Sequence, residues 1–363
     1  MVREREEGGG MRLEELRKEI DAIDDRLLEL LNERIRVVQK VGELKHKTGG
    51  AIYRPEREKA IIERLLRKNG GPLTEAAIEA IFLEIFAVAR NFEQPQRVAY
   101  LGPEGSFTHQ AAENRFGAMS EYIPLHSIPA VFKAVHADRA RFAVVPIENN
   151  TNGFVGETLD ELAKTDLKIV AELYMPIHHS FVTKAEHLQR IKRIYSKDIA
   201  FNQCRNFLLE HELDTIEYIP VESTAKAARL AAEDHESAAI CSHIAAKLYQ
   251  VPVMFENIED NHRNQTRFII LSDFENAPSG ADKTSILAKL SDRPGSLYEF
   301  LRSFHEAHVN LKKIESRPAA ENTGFDYWFY IDFEGHREEP HIQKLFEKHR
   351  DEIKYLGSYV QNG

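Results

Sequence analysis

Apolar residues fall at Leu13, Leu16, Ile20, Ile23, Leu27 and Leu30 and, past a guanidinium at Arg34, at Val37, Val41 and Leu44. Steps of three and four in alternation make a heptad seam. Residues 12–46 hold no proline and a single glycine, Gly42, so the spacing predicts one continuous helix there. At 1.5 Å per residue such a rod is about 50 Å long, more than a small domain covers, which calls for a partner helix from a second chain. Gly49-Gly50 is expected to end it, and Pro55 to open a second helix reaching residue 69. After Gly70-Gly71-Pro72, a third helix is expected over residues 74–92, with Pro95 closing an all-helical region over 11–95.

From Arg97 the pattern changes to short apolar strands alternating with helices. Strands are expected at 98–101, 142–147, 193–195, 238–241 and 268–271, and helices at 108–116, 155–164, 202–211 and 223–234. This alternation predicts an α/β region over 96–273, long enough for two lobes with a cleft between them. The stretch 273–282, with Pro278-Ser279-Gly280, is expected to be a linker. Residues 283–363 then run strand, helix, strand, strand, helix, strand, the βαββαβ order of a ferredoxin-like fold.

Composition narrows the classes. A net charge of -10 argues against a nucleic-acid binder, since phosphate affinity needs clustered cations. Cys204 and Cys241 form no CxxC pair and suit a reducing compartment. No apolar run approaches the roughly 20 residues that span a bilayer. The charged, glycine-rich start lacks the apolar stretch of a signal peptide, so a cytoplasmic protein is expected, without a membrane partner. His178-His179, expected on a strand, would point to opposite faces and form no metal pair. Neither a metal nor an organic cofactor is called for.

Several polar residues sit where apolar ones are expected. Arg34 interrupts the seam, Glu58 shares a helix face with Ile61, Ile62 and Leu65, and Glu93 shares one with Phe82, Phe86 and Ala89. Arg17, Arg34, Lys45 and Arg57 could meet Glu58 and Glu93 inside a bundle, as internal ion pairs or as a cationic pocket; spacing does not choose. Residues 102–108, Gly-Pro-Glu-Gly-Ser-Phe-Thr, feed a helix N-terminus, which suits an anion or is a plain turn. Glu148-Asn149 at a strand end and Ser223-Thr224 before a helix are ligand positions or ordinary caps. Thr266-Arg267-Phe268 pairs a hydroxyl with a carboxylate-binding fork at a strand start. Gly295-Ser296-Leu297 and Glu315-Ser316-Arg317-Pro318 are loops, or present groups to a small zwitterion.

In this order the motifs resemble the bifunctional chorismate mutase–prephenate dehydratase family of phenylalanine biosynthesis, over residues 13–359. The resemblance implies a helical mutase domain, an intertwined dimer or a dimer of dimers, a dehydratase domain and a C-terminal ACT regulatory domain. It implies that Arg17 from the partner chain and Arg34 hold the carboxylates of chorismate, that Lys45 contacts its ether oxygen and that Glu58 binds its ring hydroxyl. Arg54 stands where one branch has an aspartate, with Arg57 beside it. Glu93 stands where some members have a glutamine; burial beside Phe82 and Phe86 is expected to raise its pKa, so that it donates as a neutral acid. For prephenate, the resemblance makes Thr266 the proton donor or relay, with Arg267 and Phe268 completing the motif. Glu148, Asn149 and Gln203 become further active-site groups, and Ser106, Thr108, Ser223 and Thr224 hold carboxylates. Gly295, Ser296, Leu297 and Glu315, Ser316, Arg317, Pro318 become the site for L-phenylalanine, and removing 283–363 is expected to spare the dehydratase reaction. Two alternatives stand beside this: a dehydratase whose helical domain is a silent dimerisation handle, and a non-catalytic amino-acid sensor.

Overall fold

The computed structural model describes residues 7–48, 53–318 and 327–361. Gly49-Gly50 and the start of the strand expected from residue 325 lie outside the described residues. Three helices open the chain: α1 (Glu7–Thr48), α2 (Pro55–Lys68) and α3 (Glu75–Glu93). Thr74 caps α3 by accepting from Ala77 N at 3.3 Å, and Pro55 occupies the first turn of α2, where its missing N–H costs nothing. The first helix begins five residues earlier than expected, through three glycines that intrinsic propensity disfavours. Every residue from 13 to 30 is exposed, and the seam side chains Leu13 to Leu30 are 50–60% exposed. Near its other end α1 lies against α3, where Gly42 is buried beside Glu93.

The first lobe is a sheet with strands in the order Glu121–Leu125, Arg97–Leu101, Phe142–Asn149, Gln265–Ser272 and Lys168–Pro176. The first three are parallel and the last two antiparallel to their neighbours. The second lobe orders Val253–Phe255, Ser180–Thr183, Ser237–Cys241, Arg193–Ser196 and Glu217–Pro220. The chain passes between lobes at 177–179 and again at 256–264; His178 and His179 thus lie in a crossing segment, not on a strand. Strands such as Ser180–Thr183 and Glu217–Pro220, four residues each, are too short to show a period-two pattern and escaped sequence reading. The helix expected over 202–211 is two short ones, Asp198–Gln203 and Arg205–Glu210, parted at Cys204. Asp260 causes the break: its N–H donates to Gln203 O at 2.6 Å and its carboxylate accepts from Asn206 N at 3.0 Å.

Residues 282–360 follow the expected βαββαβ order, with strands arranged Leu311–Pro318, Tyr327–Glu334, Asp282–Lys289, Ile353–Val360, all antiparallel. One face covers its own helices through Phe300, Phe304, Ile331 and Phe333. The other face carries Leu287, Tyr330, Leu356 and Tyr359 into one core with Val145, Ile147, Ile169 and Ile269 of the first lobe. Gly357 permits this approach, since a Cβ there would stand 2.2 Å from Ile169 O. The expected linker is therefore no free hinge: Asn276 is buried and donates to Val170 O (2.8 Å) and Ser358 O (3.1 Å).

Candidate functional site

The strands Phe142–Asn149 and Gln265–Ser272 pair with Thr266 opposite Asn149 and Arg267 opposite Glu148. Adjacent residues of a strand face opposite sides, so the two pairs look in opposite directions. On the side of the helix Phe107–Phe116, Asn149 Nδ2 donates to Thr266 Oγ1 at 2.9 Å and to Asn264 Oδ1 at 2.9 Å. Its amide orientation is set by Oδ1, which accepts from Thr151 N and Asn152 N, each at 3.0 Å. Because Thr266 oxygen already accepts, the hydroxyl keeps its own proton to give, and the amide donor stabilises charge that builds on that oxygen.

Three expectations are corrected, Glu148 and Arg267 on the opposite side and Phe268 on the Thr266 side. Glu148 pairs with Lys313 of the C-terminal sheet and does not face Thr266. Arg267 is 3% exposed and reaches Glu172 (2.8 Å), Asp332 (2.5 Å) and the Tyr359 hydroxyl (2.8 Å). Burial alone would lower its pKa, but Tyr330, Tyr359, Asp332 and Glu172 hold it well above the usual value. Lys283 also grips Glu172, at 2.7 Å. A buried cation without counter-charges is strongly unfavourable, so Arg267 is committed to this network and is not free for a ligand's carboxylate. Phe268 lies in the core with Val98, Tyr100 and Ala111.

The turn before Phe107–Phe116 brings the lobes together. Gly105, at φ +81°, packs where a Cβ would lie 3.3 Å from Ala225 and Ala245, and its carbonyl accepts from Ser242 Oγ at 2.7 Å. Ser106 caps Phe107–Phe116 through His109 N at 3.2 Å, and Ser223 caps Thr224–Glu233 through Lys226 N at 3.1 Å. Two helix N-termini thus meet across the cleft, a positive setting for an anion, with Thr108 buried and Thr224 half-buried beside the caps. Gln203 enters from the second lobe, its Oε1 2.9 Å from His179 Nε2. In the sequence His179 is marked only as half of an adjacent histidine pair.

In the helical region Lys45 Nζ meets Glu93 Oε2 at 2.9 Å. That partner suits a carboxylate and gives no support to Glu93 as a neutral acid. Arg34 Nη1 is buried with no hydrogen bond among the described residues, and burial lowers the guanidinium's pKa against the pull of Glu93. Glu58 departs from expectation: it pairs with Arg90 and, at 3.2 Å, with Arg115, and not with Arg34 or Lys45. Arg90 is 4% exposed and takes Glu58 as its counter-charge, which ties α2 to α3, while Arg115 of the helix Phe107–Phe116 fastens α2 to the first lobe. Arg54 and Arg57 are exposed, Arg54 pairing with Glu56 at 2.6 Å. Arg17 is exposed and pairs with Glu14 at 3.0 Å; seventeen residues before Arg34, it stands about 25 Å away along α1.

In the C-terminal sheet, Leu311–Pro318 is the edge strand, carrying Glu315 and Arg317 half-buried and Ser316 and Pro318 exposed. Arg317 forks onto Asp160 of the first lobe, both contacts at 2.7 Å. Gly295, at φ +89°, starts the helix Ser296–Glu306; Leu297 is half-buried and Ser296 lies 3.1 Å from Ser291.

A family model described as chorismate mutase type II matches residues 16–94, and one described as prephenate dehydratase matches residues 98–276. The bifunctional chorismate mutase/prephenate dehydratase of Aquifex aeolicus is 41% identical, over 96% of this chain and 97% of its own length. This chain belongs to the bifunctional chorismate mutase/prephenate dehydratase family. Among solved structures, the prephenate dehydratase of Arthrobacter aurescens in complex with L-Phe is 36% identical at a TM-score of 0.66, over 73% of this chain and 90% of its own. GqqA, described as a quorum-quenching acylase, has a TM-score of 0.67 at 26% identity, over 74% of this chain and 98% of its own. The fold of the C-terminal three-quarters therefore hosts more than one chemistry, and the site must decide.

Proposed function

We propose that the chain catalyses two consecutive reactions: chorismate to prephenate in residues 11–95, and prephenate to phenylpyruvate, carbon dioxide and water in residues 96–273. The observation that carries the second is the Asn149–Thr266 pair. Prephenate loses its ring carboxylate as carbon dioxide; the electron pair released moves through the ring and expels the C4–O bond. Aromatisation drives this step, so the protein's task is to protonate the departing hydroxyl. Thr266, its oxygen already accepting from Asn149, is the donor. The capped helix N-termini at Ser106 and Ser223, with Thr108 and Thr224, hold carboxylates.

For the first reaction, a pericyclic rearrangement needs no nucleophile, only a compact conformer and stabilised charge on the ether oxygen. Arg34 is a half-buried cation whose Nη1 has no hydrogen bond among the described residues and would take an anion, and Lys45, further along the same helix, has Glu93 as its resting partner. Arg17 reaches such a site from a second chain, whose helix also covers the exposed seam of α1. The reading is thus a homodimer at least. Residues 283–363 we read as a ferredoxin-like ACT domain that takes L-phenylalanine between Gly295-Ser296-Leu297 and the edge strand Glu315–Pro318. A related dehydratase solved with L-Phe supports that effector.

The test is to feed purified chain chorismate, then prephenate. Thr266→Ala should leave chorismate consumption intact and let prephenate accumulate, with phenylpyruvate formation down at least about a hundredfold. Equal phenylpyruvate from both proteins would remove Thr266 from the reaction.

A further inference from the structure

The crossing between the lobes carries a buried histidine to which the dehydratase reading assigns no task. His179 is 2% exposed and is held from the second crossing: its N–H donates to Glu259 Oε2 at 2.9 Å, and its carbonyl accepts from Ile258 N at 3.0 Å. Glu259 is itself 3% exposed, and its other oxygen meets His178 Nδ1 at 2.6 Å. The imidazole rests edge-on against Phe107, 5.5 Å between ring centres, next to the turn at Gly105. Backbone and ring are thus placed from three directions.

What the ring does follows from its hydrogen count. Burial lowers the pKa of His179, so the ring is neutral near pH 7 and carries one N–H. Nε2 lies 2.9 Å from Gln203 Oε1, whereas Nδ1 is buried with no partner among the described residues. Placing the proton on Nε2 satisfies the donor and leaves a bare lone pair as the orphan, the less costly of the two. The Gln203 amide oxygen is then occupied. Its NH2 makes no hydrogen bond among the described residues, and Gln203 is half-buried.

We infer that His179 is a positioning residue for the dehydratase reaction, fixing the Gln203 amide so that it shows the cleft two N–H donors and not its oxygen. This rests on the dehydratase reading of the cleft. An anionic substrate needs donors there; a reversed amide would set a partial negative charge against it.

Three variants test this with steady-state kinetics on prephenate, chorismate consumption serving as the internal control. His179→Phe keeps the ring and removes the donor, and should lower kcat/KM about 10- to 100-fold, less than outright loss of a transition-state donor. His179→Gln restores an amide N–H near Nε2 and should recover most of that loss. In a Gln203→Ala background, His179→Phe should add less than about twofold. Because a buried ring can be needed for folding, Gln203→Glu provides an arm that leaves it untouched: it still accepts from His179 but turns an oxygen to the cleft, so its KM should exceed that of Gln203→Ala. Unchanged turnover in His179→Phe, equal losses in both backgrounds, or Gln203→Glu no worse than Gln203→Ala would each overturn the proposal. A wild-type chain inert toward prephenate would instead overturn the dehydratase reading beneath it.

Discussion

The long helix α1 and the strand pair Phe142–Asn149/Gln265–Ser272 are both built on regular apolar patterns, yet they end in opposite states. On α1 the residues that repeat at heptad spacing, from Leu13 to Leu30, stay at least half exposed. In the strand pair, Val144, Val145, Ile269, Ile270 and Leu271 are at most 1% exposed. A helix offers one apolar stripe and needs a single neighbour along its whole length. A strand is covered on two faces, and here one chain supplies both covers: the helix Phe107–Phe116 on one side and the C-terminal sheet on the other. In the function proposed above, the difference separates two kinds of site, a dehydratase centre closed within one chain and a mutase pocket completed by a second.

The sharpest way to break that contrast is a charge in the seam. Leu27→Lys should give a monomer by sedimentation and cut chorismate consumption about a hundredfold, because Arg17 would no longer arrive in place. Dehydratase turnover should stay within about twofold. Full mutase activity in a monomer would mean that the pocket closes within one chain after all.

The strand pair is sharpened through its rear face. Arg267→Met removes the cation that Glu172 and Asp332 share, leaving buried carboxylates short of a counter-charge. A loss of about 3–5 kcal/mol in urea unfolding of the α/β region is expected. A loss below about 1 kcal/mol would show that apolar contacts alone hold the C-terminal sheet to the first lobe. This network also bears on the expectation that residues 283–363 can be removed freely. Truncation would bare Arg267 and the face now covered by Tyr330, Leu356 and Tyr359, so a marked loss of stability should accompany any loss of regulation.

The smallest effect belongs to the exposed clamp between the same two units. Arg317 hydrogen-bonds Asp160 and holds its carboxyl below the usual range, though both side chains are about a third exposed. Asp160→Asn should cost about 0.5 kcal/mol at neutral pH. A depressed folded value means the contribution is complete above the unfolded aspartate range, about 4, and fades as pH falls through the lower folded value. Melting curves of the two proteins should therefore differ at pH 7 and converge near the acid limit. A constant offset at all pH values would assign the effect to packing.

Much of this was legible in local pattern. The three helices, the βαββαβ order of the C-terminal region and the strand carrying Thr266 all followed from periodicity and from Pro, Gly and Thr punctuation. Ser180–Thr183 and Glu217–Pro220 escaped because two alternations are indistinguishable from chance, whereas the equally short Arg193–Ser196 was expected; the nine-residue Lys168–Pro176 escaped because the charged Glu172 interrupts its apolar run. The break at Cys204 escaped because its cause, Asp260, lies more than fifty residues away. Among the candidate site residues, both Thr266 and Asn149 were singled out at strand ends, but their direct contact was not legible. Glu58 did not join Arg34, because a shared apolar face says which way a side chain points and not which buried cation will claim it. His179 was invisible for the same reason: its value comes from Gln203 and Glu259, residues that only the lobe crossing brings near.

By itself, the sequence determined the period of each element and hence the apolar stripe along α1, since helical repeat and side-chain polarity are properties of neighbouring residues. It also determined the chemistry at hand, a hydroxyl beside an amide-rich strand end. Only the tertiary structure decided which way each group faces. Thr266 and Asn149, 117 residues apart, share a register that sends Arg267 and Glu148 backward into the C-terminal sheet. Strand pleating makes that choice all-or-none: once the register was set, one residue of each neighbouring pair went to the cleft and the other to the joint behind it.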